Sequence, residues 1–152
     1  MIFRRSDAVF LTTMALLVAG LMFISHKANA DTYLYTGAWS HHIGASRDYN
    51  ETHNLLALEH NAYMAGYFKN SQGDGSALVG VKWAKPLIYD LKASVMVGAS
   101  YGYKADCLRP EESGATKVCP MAVPAITYTG AKVQPSLSMI GNAVTFSIRW
   151  KL

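Results

Sequence analysis

The chain is poor in charge, in cysteine and in long apolar runs, and each shortage closes off a class of protein. Only 16% of its 152 residues are charged, Lys and Arg numbering 14 against 10 Asp and Glu. Arg4, Arg5 and Lys27, less Asp7, supply half of the formal +4, so residues 31–152 carry only +2. A charge so small and scattered makes no footprint for nucleic acid, and none is expected as a partner. The only cysteines are Cys107 and Cys119, so none stands near the N-terminus to serve as a lipobox. Beyond the first 30 residues, no segment approaches the roughly 20 continuous apolar residues that a membrane helix needs.

The first 30 residues read as a secretory signal peptide. Arg4 and Arg5 form a positive start, Ala8 to Ile24 is apolar but for Thr12, Thr13 and Gly20, and Ala28-Asn29-Ala30 is a small-x-small cleavage site. Residues 31–152 are then the mature domain. In the oxidising compartment that export implies, Cys107 and Cys119 are expected to form a disulfide, worth about 3 kcal/mol by loop closure.

What the chain does have is alternation. From Val144 to Leu152 the odd-numbered Thr145, Ser147, Arg149 and Lys151 are polar, and Val144, Phe146, Ile148, Trp150 and Leu152 between them are apolar. That is the strand period, with one face for an apolar medium and one for a polar one. Similar segments predict strands at 32–42, 52–60, 62–70, 76–85, 89–103, 121–129, 133–140 and 143–152. Their lengths suit tilted crossings of a bilayer. An open sheet would leave unpaired backbone groups in lipid. The reading is therefore an all-β fold, an eight-stranded antiparallel transmembrane β-barrel in a bacterial outer membrane, a monomer with no cofactor and no metal. Tight connections are expected near Asn61, Lys85-Pro86 and Gly130. Longer loops are expected at Ile43–Glu51, Ser71–Gly75 and Ala105–Pro120, which would put both termini in the periplasm.

Facing follows from parity. Tyr33, Tyr35 and Trp39 are expected to face lipid, with His42 inward and His41 outward. Trp83, Val81, Val79 and Ala77 would face lipid opposite Leu78, Gly80 and Lys82, and Tyr101 and Tyr103 would share a face. Met64, Gly66 and Phe68 would point inward, as would Leu34, Leu56, Leu58, Met96, Ile126 and Ile140. Such an interior is either an ordinary packed core or an apolar slot for a hydrocarbon chain.

Chemistry is expected at the outer rim, where His41 and His42 end the first strand and Asn70-Ser71 ends the third. A histidine within reach of a serine is the minimum for activating a hydroxyl. Adjacent strand residues point to opposite faces, which disfavours a metal site from His41 and His42. His53 and His60 are expected to matter little, His60 lying at the periplasmic end.

Phe68-Lys69-Asn70-Ser71, followed by Gly80-Val81-Lys82-Trp83, resembles the FKDS and GYGW segments of the PagP-type lipid A palmitoyltransferases. Trp39 with nearby histidines, Tyr49-Asn50-Glu51, the Pro120–Pro124 region and the last strand extend the resemblance over most of residues 33–152. It implies an eight-stranded outer-membrane barrel that moves an acyl chain from phospholipid to lipid A, or a related acyl-ester hydrolase. It also implies a catalytic trio in which Ser71 matches the serine, His42 or His41 the histidine, and Asn70 occupies the aspartate position. Asn70 would orient the histidine or polarise the ester carbonyl. The alternative is a non-enzymatic small barrel acting in surface binding or exclusion through its outer loops.

Overall fold

Eight segments that each carry one apolar face can hide their backbone polar groups by curling into a closed sheet. The computed structural model describes residues 31–45, 48–106 and 109–152, without the side chains of 105–117. Its strands are β1 (Thr32–His42), β2 (Leu56–His60), β3 (Tyr63–Lys69), β4 (Gly75–Pro86), β5 (Leu91–Asp106), β6 (Arg109–Tyr128), β7 (Val133–Ile140) and β8 (Ala143–Lys151). Each pairs antiparallel with the next, and β8 closes on β1. The expected all-β, eight-stranded antiparallel barrel is what the described residues form. The signal-peptide reading of residues 1–30, and Cys107, lie outside the described residues.

Asp31 and Leu152, the first and last described residues, sit at one end of the barrel, the terminal end. Lys151 Nζ is 2.9 Å from the Asp31 carboxylate, and the Leu152 amide donates to the Thr32 carbonyl. The turns after β2, β4 and β6 share this terminal end; the segments after β1, β3, β5 and β7 share the other, the loop end. Two boundaries differ from expectation. β2 starts at Leu56 rather than 52, because β1 pairs with it only from Thr32 to Thr36. The expected 105–120 loop is instead largely a hairpin that continues β5 and β6, with Ala105 opposite Glu112 and Asp106 opposite Arg109. A hairpin running past the wall has no apolar side, so it lacks the alternation that marks a strand.

The β6–β7 seam is thin. Only Ala125, Ile126 and Thr127 pair with β7, whereas β5 and β6 stay in register from Leu91 opposite Tyr128 to Tyr101 opposite Val118. Pro120 and Pro124 have no N–H to offer that ladder.

Two glycine bulges set which side chains enter the barrel. At Gly37 (φ 71°) the β1–β8 register slips between Thr36 and Ala38. Tyr33 and Tyr35 point inward below it, and Ala38, Ser40 and His42 above it, while Trp39 and His41 point out. At Gly102 (φ 132°) a second slip turns Tyr103 inward against Phe68, although Tyr101 pairs in the outward row. A Cβ at Gly102 would lie 2.4 Å from the Gly75 carbonyl oxygen.

The parity reading holds along β3, β4, β8 and the inward row of β5 up to Ser100. Phe68, Leu78 and Met96 are buried, with Met64 packed against them, and Trp83, Val79, Phe146 and Trp150 are exposed outward. It fails for Tyr33 and Tyr35, which are inside, and for Tyr103. It also fails for Leu56 and Ile126, which are 58% and 50% exposed on the outer wall, and for Leu34 and Leu58, whose neighbours Tyr33, Tyr35, Ala57 and Glu59 take the interior. Tyr103 is turned in by the Gly102 bulge, and beside Ile126 the inward places go to Ala125 and Thr127; in β1 and β2 the physical reason is an ionic floor toward the terminal end. Lys82 Nζ donates to Glu59 at 2.9 Å, Arg149 approaches the same carboxylate oxygen at 3.4 Å, and the Tyr35 hydroxyl donates to it. Charged groups so buried must be paired, and these inward positions supply one another.

Candidate functional site

Above this floor the barrel is hollow. A cavity of about 440 Å³ runs from Lys82 and Tyr35 up to Tyr49, Gln72 and Asn142 at the loop end. It is within the ordinary size range of small-molecule sites. One wall, carried by β3 to β6, is apolar: Met64, Phe68, Leu78, Met96 and Val123 pack there as one cluster. The opposite wall, carried by β1, β7 and β8, presents hydroxyls from Ser40, Ser136, Ser138, Thr145 and Ser147.

At the loop end of this cavity the fold makes a contact between two residues that the sequence alone did not connect. The segment before β2 crosses the gap that the Gly37 bulge opens. The Gly37 amide donates to Leu55 O, the His53 amide to Ala38 O, and the Lys69 amide to His53 O. His53 is thereby stitched between β1 and β3, with its ring turned inward and 9% of the residue exposed. Its Nε2 lies 2.7 Å from Ser40 Oγ, itself on a buried residue, and its Nδ1 lies 2.7 Å from the Lys69 carbonyl oxygen. A carbonyl can only accept, so Nδ1 carries the ring proton. In the neutral ring Nε2 is then the acceptor, and the Ser40 hydroxyl donates to it. This is the arrangement that lets an imidazole take a proton from a serine as its oxygen attacks an electrophile. A backbone carbonyl fixes the tautomer, where the better-known triads use a carboxylate.

The residues expected at the rim are all nearby, and the structure gives each a different setting. Asn70 is fully buried, and its amide is saturated. Nδ2 donates to Ser76 Oγ (3.0 Å) and Gly102 O (3.1 Å), and Oδ1 accepts from the amides of Gln72 (2.9 Å) and Asp74 (3.0 Å). An asparagine side chain has two donors and two acceptor lone pairs, so nothing remains for a histidine or an oxyanion. Asn70 builds the turn between β3 and β4. Ser71 lines the cavity and hydrogen-bonds Tyr103. The His42 ring points inward and stacks on Tyr49, centroids 4.3 Å apart, and its Nδ1 is buried without a hydrogen-bond partner. His41 is outside the barrel, its side chain 81% exposed and 3.2 Å from Glu51. His42 and Ser71 thus line the same cavity as Ser40 and His53, while His41 and Asn70 do not.

Among the described residues no cluster of three or more His, Cys, Asp or Glu could hold a metal ion. Cys119 is buried at the loop end of β6, and among the described residues no cysteine is free.

No protein-family model matches the chain, and no curated protein does. Among solved structures it is similar to the solution NMR structure of the de novo designed TMB2.3. The TM-score is 0.53 at 12% identity, over 83% of this chain and 98% of the other. At that identity the likeness concerns the fold alone.

Proposed function

We propose that this chain is an outer-membrane enzyme that cleaves acyl esters of membrane lipids, with Ser40 as nucleophile and His53 as its base. The observation that carries the reading is the buried Ser40–His53 pair at the head of an open cavity with an apolar wall. Ser40 Oγ would attack the ester carbonyl carbon of an acylated membrane lipid, lipid A or phospholipid, as His53 Nε2 takes the hydroxyl proton. The C–O bond to the lipid alcohol would break, and that alcohol would leave with the proton from His53. The acyl group on Ser40 would then pass to an acceptor hydroxyl, of lipid A as the PagP-type resemblance implies, or of water. The returned proton restores Ser40. His42, which lines the loop end of the cavity, would meet a polar head group beside the reacting ester.

Several features support a membrane setting. Trp39, Tyr63, Tyr67, Trp83, Phe146 and Trp150 are exposed on the outer wall, where an aqueous setting would leave large aromatic surfaces unburied. The signal-peptide reading supplies the export, and the terminal end would face the periplasm. The thin β6–β7 seam lies beside the cavity and offers a lipid chain a lateral path. Cys107 and Cys119 would clasp the projecting β5–β6 hairpin. That hairpin is also what favours the second reading, a surface binding or exclusion barrel without catalysis.

The test is mass spectrometry of lipid A and phospholipids from cells expressing the wild type, Ser40→Ala or Ser71→Ala. A gain of one acyl chain on lipid A marks transfer and a loss marks hydrolysis. Either change should vanish in Ser40→Ala and persist in Ser71→Ala. Unchanged lipids in wild-type cells with assembled barrel would favour the binding role.

A further inference from the structure

The hydroxyl wall is more than a polar lining, because it is in register with the nucleophile. Thr145 stands directly opposite Ser40 in the β1–β8 ladder, and Ser138 stands directly opposite Thr145 in the β7–β8 ladder. All three side chains point into the cavity. One row nearer the terminal end, Ser147 is opposite Ser136 in the same way, and Ser136 Oγ is 2.9 Å from Thr127 Oγ1. Directly opposed residues on one face have Cβ atoms roughly 5 Å apart. Thr145, only 6% exposed, therefore stands as a second hydroxyl-bearing side chain directly beside that of Ser40.

Ser136 and Ser138 already have partners within the protein, Thr127 Oγ1 at 2.9 Å and the Thr145 carbonyl oxygen at 3.3 Å, so an unbranched hydrocarbon chain would strip water chiefly from the Thr145 and Ser147 hydroxyls and offer them nothing in return. Buried hydroxyls left unpaired cost about 1–3 kcal/mol each, so a cavity built this way selects for a ligand that pairs them.

We infer that the acyl chain this site takes carries a hydroxyl within a few carbons of its carboxyl end, read by Thr145 beside Ser40. The inference rests on Ser40 marking the carboxyl end, as the dyad reading has it. The apolar wall of Phe68, Leu78 and Met96 holds the hydrocarbon tail, and the hydroxyl wall holds the oxygen-bearing edge. A plain saturated chain binds the first wall and leaves the second unmatched.

The experiment uses the full mature barrel bearing Ser40→Ala in detergent, so that no turnover is needed. Binding of 3-hydroxymyristic acid is compared with that of myristic acid by titration. One neutral hydrogen bond predicts about fivefold tighter binding of the hydroxy acid. Thr145→Val should abolish that difference, and Thr145→Ser, which keeps the hydroxyl, should retain it. Equal affinities on the Ser40→Ala barrel would overturn the inference and leave the wall as a place for water. If Thr145→Val fails to assemble, the comparison of the two acids still decides. Failure of the parent reading shows elsewhere: a wild-type barrel that binds the hydroxy acid selectively but cleaves no ester would remove the dyad chemistry and keep this ligand class.

Discussion

The Asn70→Asp change separates two accounts of the loop end with one carboxylate. The PagP-type resemblance implies that an aspartate at this position would hold a histidine and preserve or raise activity. The hydrogen-bond accounting around Asn70 says otherwise. Its Oδ1 partners, the Gln72 and Asp74 amides, would suit a carboxylate. The other oxygen of Asp would face the Gly102 carbonyl oxygen, which now accepts a hydrogen bond at 3.1 Å, in a site that is fully buried. Two facing acceptors repel unless the new carboxyl keeps its proton and donates it to Gly102. Holding an ordinary aspartic acid neutral at pH 7 means raising its pKa by about 3 units, at 1.36 kcal/mol for each unit, so folding should lose about 4 kcal/mol. The sign is fixed by linkage. The folded state binds the extra proton, so the penalty is full near neutrality and shrinks as the pH falls toward the unfolded value near 4. Urea unfolding of wild type and Asn70→Asp at pH 7 and pH 4.5 reads this directly. Stability equal to wild type at pH 7, or a loss that does not shrink in acid, would refute the reasoning. Raised activity with unchanged stability would return Asn70 to the role the resemblance implies.

Two further outcomes follow from the wall and the floor. Glu59→Gln removes the carboxylate shared by Lys82 and Arg149 and should lower stability by about 3–5 kcal/mol; adding Lys82→Met should recover part of it, as measured by urea midpoints. Gly98→Val should stop the barrel forming, because a Cβ there would lie 2.0 Å from the Val79 carbonyl oxygen and 2.6 Å from Gly80 Cα; the protein should then migrate identically on gels with and without boiling.

Much of the fold is legible in the chain because one rule, alternate residues to alternate faces, runs through β3, β4, β7 and β8 without interruption. The interior at Met64, Phe68, Leu78 and Met96 could be read for the same reason. Parity is lost wherever a single extra residue enters a strand. Gly37 in Thr36-Gly37-Ala38 was the available signal for β1, since a glycine inside a strand often marks a bulge. Missing it reversed Tyr33 and Tyr35. The assignment of His42 inward still came out as expected, because Trp39 lies on the far side of the bulge. The Ser40–His53 contact was beyond reach for a different reason. His53 belongs to no strand, and only the gap between β1 and β2 brings residue 53 across to residue 40. Asn70 shows the opposite limit: its sequence position resembles that of a catalytic aspartate, and only the four bonds to its amide reveal a turn residue.

The central claim is that Ser40, activated by His53, is where chemistry happens. Its most direct test is intact-protein and peptide mass spectrometry after mixing the detergent-solubilised barrel with an activated acyl ester such as p-nitrophenyl myristate and quenching in acid. The account predicts an acyl adduct on the peptide that contains Ser40, absent in Ser40→Ala, strongly reduced in His53→Ala and retained in Ser71→Ala. An adduct on Ser71 instead, or undiminished ester cleavage by Ser40→Ala, would contradict it.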